Sequence, residues 1–367
     1  MIKIAAICGA RPNFMKIAPL IKAFQQSGAI ETFLVHTGQH YDEKMSHLFF
    51  DELQIPRPDI NLEVGSGSHA VQTAEIMKKI EPVLLNYKPD YVLVVGDVNS
   101  TIACGLVAVK LGVELIHVEA GLRSFDRTMP EEINRLLTDI ISDMLFVTEQ
   151  SGMDNLVREG IDPGKIHLVG NVMIDTLLAN LEKAKQSRVL QELGVSAEKF
   201  AVITLHRPAN VDTMDVLDEI LAALEIIQQD IQLIFPIHPR TRKNITGTPW
   251  EERIQKMNRL LLTEPFGYLD FLCLTGNATF VMTDSGGLQE ETTILGVPCL
   301  TLRENTERPV TITDGTNTLV TPVTTSNILH HYHELKKHGA IKKAVPHYWD
   351  GHAAERITEV IIKAYPN

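Results

Sequence analysis

The chain has 367 residues, 44% hydrophobic and 22% charged, with a formal net charge of −12. That length exceeds one ordinary core and predicts two domains, and an acidic balance without a basic block argues against nucleic acid or an anionic membrane as partner. Cys8, Cys104, Cys273 and Cys299 are scattered without CxxC spacing and read as reduced, buried thiols of a cytoplasmic protein, while no apolar run has signal-peptide or membrane-spanning form.

In chain order, short β-branched runs alternate with longer amphipathic segments. The first series predicts strands over 2–8, 32–36, 91–95, 113–118, 144–147 and 166–169, with helices over 16–26, 70–86, 100–111, 131–141 and 149–158. A polar helical stretch, 175–196, reads as the linker. The second series predicts strands over 200–205, 232–236, 260–263, 280–283, 299–302 and 318–320, with helices over 214–228, 269–275, 285–295 and 325–338. This alternation predicts an α/β fold of two Rossmann-like doubly wound domains in tandem, each a parallel sheet covered on both faces.

Ligands of such sheets bind beyond the carboxyl ends of the strands, where this chain concentrates its reactive residues. The first strand runs into Gly9-Ala10-Arg11-Pro12-Asn13, which sets Arg11 and Lys16 near a helix N-terminus that favours anions. The turn is not G-x-G-x-x-G, so no dinucleotide cofactor is indicated. The strand at 91–95 ends in Gly96-Asp97-Val98-Asn99-Ser100, where Asp97 is a catalytic or turn acid and Asn99 or Ser100 a helix cap. Residues 117–135, HVEAGLRSFDRTMPEEINR, bring Glu119, Asp126, Glu131 and Glu132 together with Arg123, Arg127 and Arg135 where an apolar strand ends. Carboxylates there can move protons, and guanidiniums can hold an anion. Pro130 suits the first helical position, and the acids behind it suit the dipole. Glu131 and Arg135 share a helix face, either as an exposed pair or both turned to a ligand.

In the second half, His206 and His238 each end a strand and are followed by Arg or Pro. Neither has metal-ligand spacing, and no metal is assigned. Thr283-Asp284-Ser285-Gly286-Gly287 leads from a strand into a helix that stops at Gly296. The amides at Ser285, Gly286 and Gly287 suit a phosphate, Glu291 lies one turn further within reach of ribose hydroxyls, and Arg308 adds a cation.

With these motifs assembled, the chain resembles the UDP-N-acetylglucosamine 2-epimerases of the non-hydrolysing type over nearly its whole length. The motifs are GARPNFMKIAPL, VVGDVNST, HVEAGLR, MPEEINR, TLHRPANVD, IHPRT, EPFGYLDF, TDSGGLQEE, NTERPVTITDGTN and YWDGHAAERI. The resemblance implies a glycosyltransferase-B type architecture, usually dimeric, with the active site in the interdomain cleft. It implies an N-terminal domain at 1–172 carrying a returned helix at 353–367, and a UDP-binding domain at 173–352. The implied reaction inverts C2 of the N-acetylhexosamine by eliminating and re-adding UDP through a 2-acetamidoglucal, without a cofactor, for surface polysaccharide precursors. By motif, Asp97, Glu119 and Glu131 are the proton-transfer and sugar-positioning candidates. Arg11, Lys16, His206, Ser285, Gly286 and Gly287 match phosphate contacts, with His206 also in the catalytic set. Phe271 matches a uracil-side contact, Glu291 a ribose contact and Arg308 a cleft arginine, and Arg135 and His238 complete the expected substrate contacts.

The chain departs from the family pattern at Ala10-Arg11-Pro12-Asn13 and at Pro208-Ala209-Asn210. Of the paired glutamines that many bacterial members use to bind a regulatory UDP-sugar, Gln39 is present and Asp42 replaces the other. Relatives acting on UDP-diacetamido-uronic acids share Gly-Ala-Arg-Pro, whereas the segment Thr306-Glu307-Arg308-Pro309 favours the plain N-acetylglucosamine nucleotide. A hydrolysing epimerase, a glycosyltransferase and a UDP-sugar sensor are the rival readings.

Overall fold

The computed structural model describes residues 1–9, 11–38, 52–53, 55–197, 199–338 and 344–366. The chain divides into two compact units, Met1–Ala179 with His347–Asn367, and Asn180–Pro346.

In the first unit, seven strands form one sheet: β1 (Ile2–Cys8), β2 (Ile30–His36), β3 (Ile60–Asn61), β4 (Tyr91–Val95), β5 (Glu114–Ala120), β6 (Met144–Val147) and β7 (Ile166–Leu168). Every pairing is parallel, in the order β3-β2-β1-β4-β5-β6-β7. All five residues of β4 are buried, as expected of a strand covered on both faces. The helices are α1 (Arg11–Ser27), α2 (His69–Tyr87), α3 (Asn99–Lys110), α4 (Pro130–Ile141), α5 (Gln150–Arg158) and α6 (Val172–Ala184). Ile76, Ile80 and Leu84 of α2 and Ala103, Val107 and Ala108 of α3 pack against Val92 and Val94 of β4.

The second unit repeats the plan with β8 (Phe200–Thr204), β9 (Gln232–Pro236), β10 (Leu260–Thr263), β11 (Phe280–Thr283), β12 (Cys299–Thr301) and β13 (Asn317–Leu319), ordered β10-β9-β8-β11-β12-β13 and all parallel. Its longer helices are α7 (Met214–Ile227), α8 (Tyr268–Gly276), α9 (Gly286–Leu295) and α10 (Thr325–His338), with shorter turns between them. Leu217, Leu221 and Leu224 of α7 meet Ile203, Leu233 and Phe235 in its core. In both sheets strand order reverses at the first strand, so β1 and β4, and likewise β8 and β11, lie side by side while their connections diverge. The diverging connections leave open ground at the carboxyl ends of those strands.

The chain passes from one unit to the other within 175–196, after Ala179. The first half of that stretch belongs to α6, whose Val172, Met173, Ile174 and Leu177 are buried. One expectation needs correction. Neither Asn99 nor Ser100 caps α3: the cap residue is Val98, with no side-chain bond, because both expected caps are buried and bonded elsewhere.

The last helix, α11 (Ala353–Ala364), packs on α1 of the first unit. Asp175 of α6 accepts the Ala353 and Ala354 amides at 3.2 and 2.7 Å, replacing partners that a helix start lacks. Trp349 is fully buried and donates to the Thr148 carbonyl at 3.0 Å, and Arg356 donates to the Val169 carbonyl at 3.0 Å. Gly170 stands in the left-handed region at φ +91°, where an added Cβ would overlap the Tyr348 carbonyl. Among the described residues no helix is long and apolar enough to cross a membrane.

Gly170→Ala therefore meets both a backbone penalty and a clash with main chain that cannot swing away. The expected loss is about 2 kcal/mol of unfolding free energy, measured by urea denaturation followed through tryptophan fluorescence. An unchanged midpoint and slope would contradict the tight seating of the 347–352 segment.

Candidate active site

In the first unit the reactive cluster sits at the carboxyl ends of β1, β4 and β5. Gly9 follows β1 with its flank against α3, where an added Cβ would overlap the Ser100 side chain. Asn13, on the first turn of α1, accepts the Gly9 amide at 3.3 Å and donates to the Val95 carbonyl at 3.0 Å, which ties β1 to β4. One turn on, buried Lys16 makes an ion pair with Glu119. Gly96 keeps that place open, because a Cβ there would stand 2.8 Å from the lysine Nζ.

Glu119 lies within β5, one residue past the strand end expected from sequence. A bulge interrupts pairing with β6 between Val118 and Ala120, and Glu119 itself has φ +74°. Left-handed backbone at a non-glycine residue costs about 1–2 kcal/mol. The residue is 5% exposed, so the sequence supports a strained, buried carboxylate and gives it a cation.

Asp97 follows β4 and is partly exposed. Arg135 of α4 donates to its carboxylate, and Asn134 donates to its carbonyl at 2.9 Å. Arg135 also pairs with Glu132 at 2.7 Å. Its guanidinium thus holds Asp97, and Glu132 rather than Glu131 is its helical partner. Glu132 in turn accepts the Ser124 amide and hydroxyl and the Phe125 amide at 2.9, 2.8 and 3.0 Å, so this first-turn acid organises the 121–129 loop. Glu131 is half-buried and makes no ion pair or side-chain hydrogen bond among the described residues.

The second cluster lies at the carboxyl ends of β8 and β11. Asp284, fully buried, accepts the amides of His206 and Arg207 at 3.0 and 2.9 Å, Asn210 Nδ2 at 3.1 Å, and pairs with His206 Nδ1 at 2.8 Å. Burial alone would raise this carboxyl, but His206 and the two amides hold it below the usual range. The half-exposed His206 ring is thereby fixed, 5.8 Å between centroids from that of His238. The exposed His238 caps its own short helix, accepting the Arg240 amide at 3.2 Å.

Ser285 precedes α9 without capping it through its side chain, and Gly286 and Gly287 follow. The glycine at 286 is needed because a Cβ would stand 2.7 Å from Arg308 Nη1 and 2.8 Å from Glu307 Oε1. Arg308 is buried and donates to Glu290 at 2.6 Å and to Glu307 at 2.5 Å, while Arg303 pairs with Glu307 at 2.7 Å. Burial would raise Glu307, but Arg308, Arg303 and Arg207 hold it well below the carboxylate range. This lattice braces the α9 N-terminus, whose amides point where an anion would sit. Glu291, buried on α9, is pushed up to about 8 by burial, with Glu290 adding to the effect. Phe271 is half-buried on α8, one turn from Tyr268, whose hydroxyl is raised by burial and by Glu291.

The structure thus groups Lys16, Asp97, Glu119, Glu131 and Arg135 in one unit. In the other it groups His206, His238, Ser285, Gly286, Gly287 and Arg308, with Phe271 and Glu291 on the helices behind. The Arg11 side chain lies outside the described residues, as do Gln39 and Asp42. Sequence reasoning missed the holding roles of Asn134, Asp284, Glu290, Glu307 and Arg303. The partners of Asn134, Asp284 and Glu290 lie far along the chain, whereas Arg303, Glu307 and Arg308 pair locally in a segment that carries no helical periodicity to announce it.

The sequence profile described as UDP-N-acetylglucosamine 2-epimerase matches residues 22–362. A UDP-N-acetylglucosamine 2-epimerase homolog of Methanococcus maripaludis is 50% identical over 320 residues, 87% of this chain and 88% of that protein. The UDP-2,3-diacetamido-2,3-dideoxy-D-glucuronate 2-epimerase of Pseudomonas aeruginosa is 42% identical over 321 residues, with 87% and 88% covered. The crystal structure of Methanocaldococcus jannaschii UDP-GlcNAc 2-epimerase in complex with UDP-GlcNAc and UDP matches with TM-score 0.92 at 42% identity, covering 99% of this chain and 100% of that one. The paired parallel sheets are accordingly the two Rossmann-like domains of the glycosyltransferase-B type. Profile, identity and fold agree that the chain belongs to the UDP-N-acetylglucosamine 2-epimerase family.

Proposed function

We propose that this enzyme interconverts UDP-N-acetylglucosamine and UDP-N-acetylmannosamine in the cytoplasm, as a homodimer. The observation that carries the chemistry is the strained, buried Glu119 paired with Lys16 beside a second carboxylate, Asp97, held by Arg135. A carboxylate takes the C2 proton. The electron pair of that C–H bond forms the C1–C2 double bond, and the C1–O bond breaks with its pair leaving on UDP. Re-addition reverses each step, with the proton returned to the opposite face of C2 by a second carboxylate. Charge growing on the departing diphosphate is met by amides at Ser285, Gly286 and Gly287 and by His206, fixed donors that need no reorganisation. Phe271 and Glu291 suit the uridine. Four unpaired, buried thiols fit the reducing compartment. The exposed Val71 and Leu85 on α2, Val109 on α3, and Leu137 and Ile140 on α4 support a subunit contact.

The same chemistry on a UDP-diacetamido-uronic acid is a second reading, favoured by the likeness to the Pseudomonas aeruginosa enzyme. Incubation with either nucleotide in heavy water, read by proton and phosphorus-31 NMR, decides. The proposal expects C2 deuterium and a second UDP-hexosamine from UDP-N-acetylglucosamine, with little free UDP. Stoichiometric UDP release would instead mark a hydrolysing enzyme, and an unlabelled sugar would refute the proposal.

Asp97→Asn and Glu131→Gln should each lower turnover by about 10²–10⁴-fold while calorimetric affinity for UDP stays near wild type. Wild-type turnover in both would remove these residues from the proton path. Glu291 holds its proton up to about pH 8 in the empty site, whereas ribose hydroxyls donate to its ionised form. Nucleotide binding at pH 7 should therefore release a proton and tighten as pH rises towards 8. Calorimetry in two buffers of different ionisation enthalpy measures that release. Equal buffer dependence in wild type and Glu291→Gln would contradict it.

A further inference from the structure

Asp97 and Glu119 sit on neighbouring strand ends, and what sets the gap between them is buried beneath the cluster. His117 of β5 is fully buried and lies two residues before Glu119. Its Nε2 meets the Gly96 carbonyl at 2.9 Å, the residue next to Asp97, and its Nδ1 meets Asp139 Oδ1 at 2.7 Å. Asp139 comes from α4 and is also fully buried. Its second oxygen accepts the Gly121 amide at 3.1 Å, two residues after Glu119, and pairs with Arg123 at 2.7 Å. Arg123 is anchored in turn by Glu159, at 2.8 and 2.6 Å. Gly121 is left-handed, at φ +79°, and a Cβ there would strike the Gly152 backbone, so the turn has no slack on that side. The same helix supplies Asn134 and Arg135 to Asp97. One imidazole and one carboxylate therefore tie the turn after β4, the turn after β5 and helix α4 to a single point.

We propose that His117 and Asp139 are positioning residues that fix the spacing of the Asp97 and Glu119 turns, and so allow protonation of C2 from either face. This rests on the epimerase reading. Neither side chain is exposed enough to reach a ligand, and neither reacts. If the clamp slackens, one carboxylate still removes the C2 proton and, after exchange with solvent, returns it to the same face. Labelled substrate then accumulates faster than epimer.

The test uses the full-length enzyme in heavy water and measures deuterium at C2 of recovered substrate against epimer formed. Wild type is measured first and shows by itself whether the chain epimerises the nucleotide at all. His117→Phe, which keeps volume and removes both bonds, is expected to lower kcat by about 100-fold with KM little changed, since misplacement of a reacting group on the ångström scale costs that order. It should also raise the exchange-to-epimer ratio several-fold. His117→Asn, able to keep one of the two bonds, should fall between Phe and wild type, and it decides the matter if His117→Phe does not fold. An exchange-to-epimer ratio equal to wild type in a folded variant, whatever happens to kcat, overturns the proposal. Failure of both variants to fold also overturns it, because the pair would then be a folding element only.

Discussion

A carboxylate taken out of water is costly unless a cation or several donors stand beside it. This chain buries acids at the carboxyl ends of both parallel sheets and gives each its counterweight: Lys16 for Glu119, Arg135 for Glu132, His206 for Asp284, and Arg303 and Arg308 for Glu307. Parallel strands covered on both faces permit this, because their interiors are apolar and only their ends meet polar ground. The reversal of strand order opens that ground beside β1 and β4, and beside β8 and β11.

The two units use one device for different ends. In the first, the cations are single and the acids sit within or beside a strained strand end, which holds the carboxylates in place as the proposed proton transfer requires. Glu119 tolerates left-handed backbone because the bulge in β5, the Lys16 pair and the Gly121 turn fix it from three sides. In the second, arginines outnumber exposed acids around the α9 N-terminus and are locked to buried glutamates. The product is a rigid donor surface, suited to a diphosphate more than to a proton. Glycine at 286 belongs to the same construction, since any side chain would collide with the Arg308–Glu307 pair.

Much of this was legible in the sequence. Buried strands leave β-branched runs, and β9, β10, β11 and α10 have the bounds that periodicity predicts. Strand ends carrying Gly, Asp, His or Glu mark the ligand side once the sheets are parallel. The crossing between the units falls within 175–196, and the first half of that stretch continues α6, whose apolar stripe begins at Val172, ahead of the polar residues. The capping roles of Asn99 and Ser100 failed because burial gave them better partners in Gln72 and Thr37. Glu131 and Glu132 look interchangeable as first-turn acids, and only the fold of the 121–129 loop separates the one that organises structure from the one that engages no partner among the described residues. The bond between His206 and Asp284 joins residues 78 positions apart, which no local spacing reveals. The return of α11 onto the first unit was expected from family resemblance, and Asp175, Trp349 and Arg356 supply its physical reason.

The most direct measurement is a crystal structure of the enzyme with UDP-N-acetylglucosamine bound. The diphosphate is predicted to accept hydrogen bonds from the amides at Ser285–Gly287. Carbon two is predicted to lie within one water or one hydrogen bond of a carboxylate on each face, drawn from Asp97, Glu119 and Glu131. A nucleotide bound away from the start of α9, or a C2 with no carboxylate of the first unit near either face, would contradict the division of chemistry between the two units.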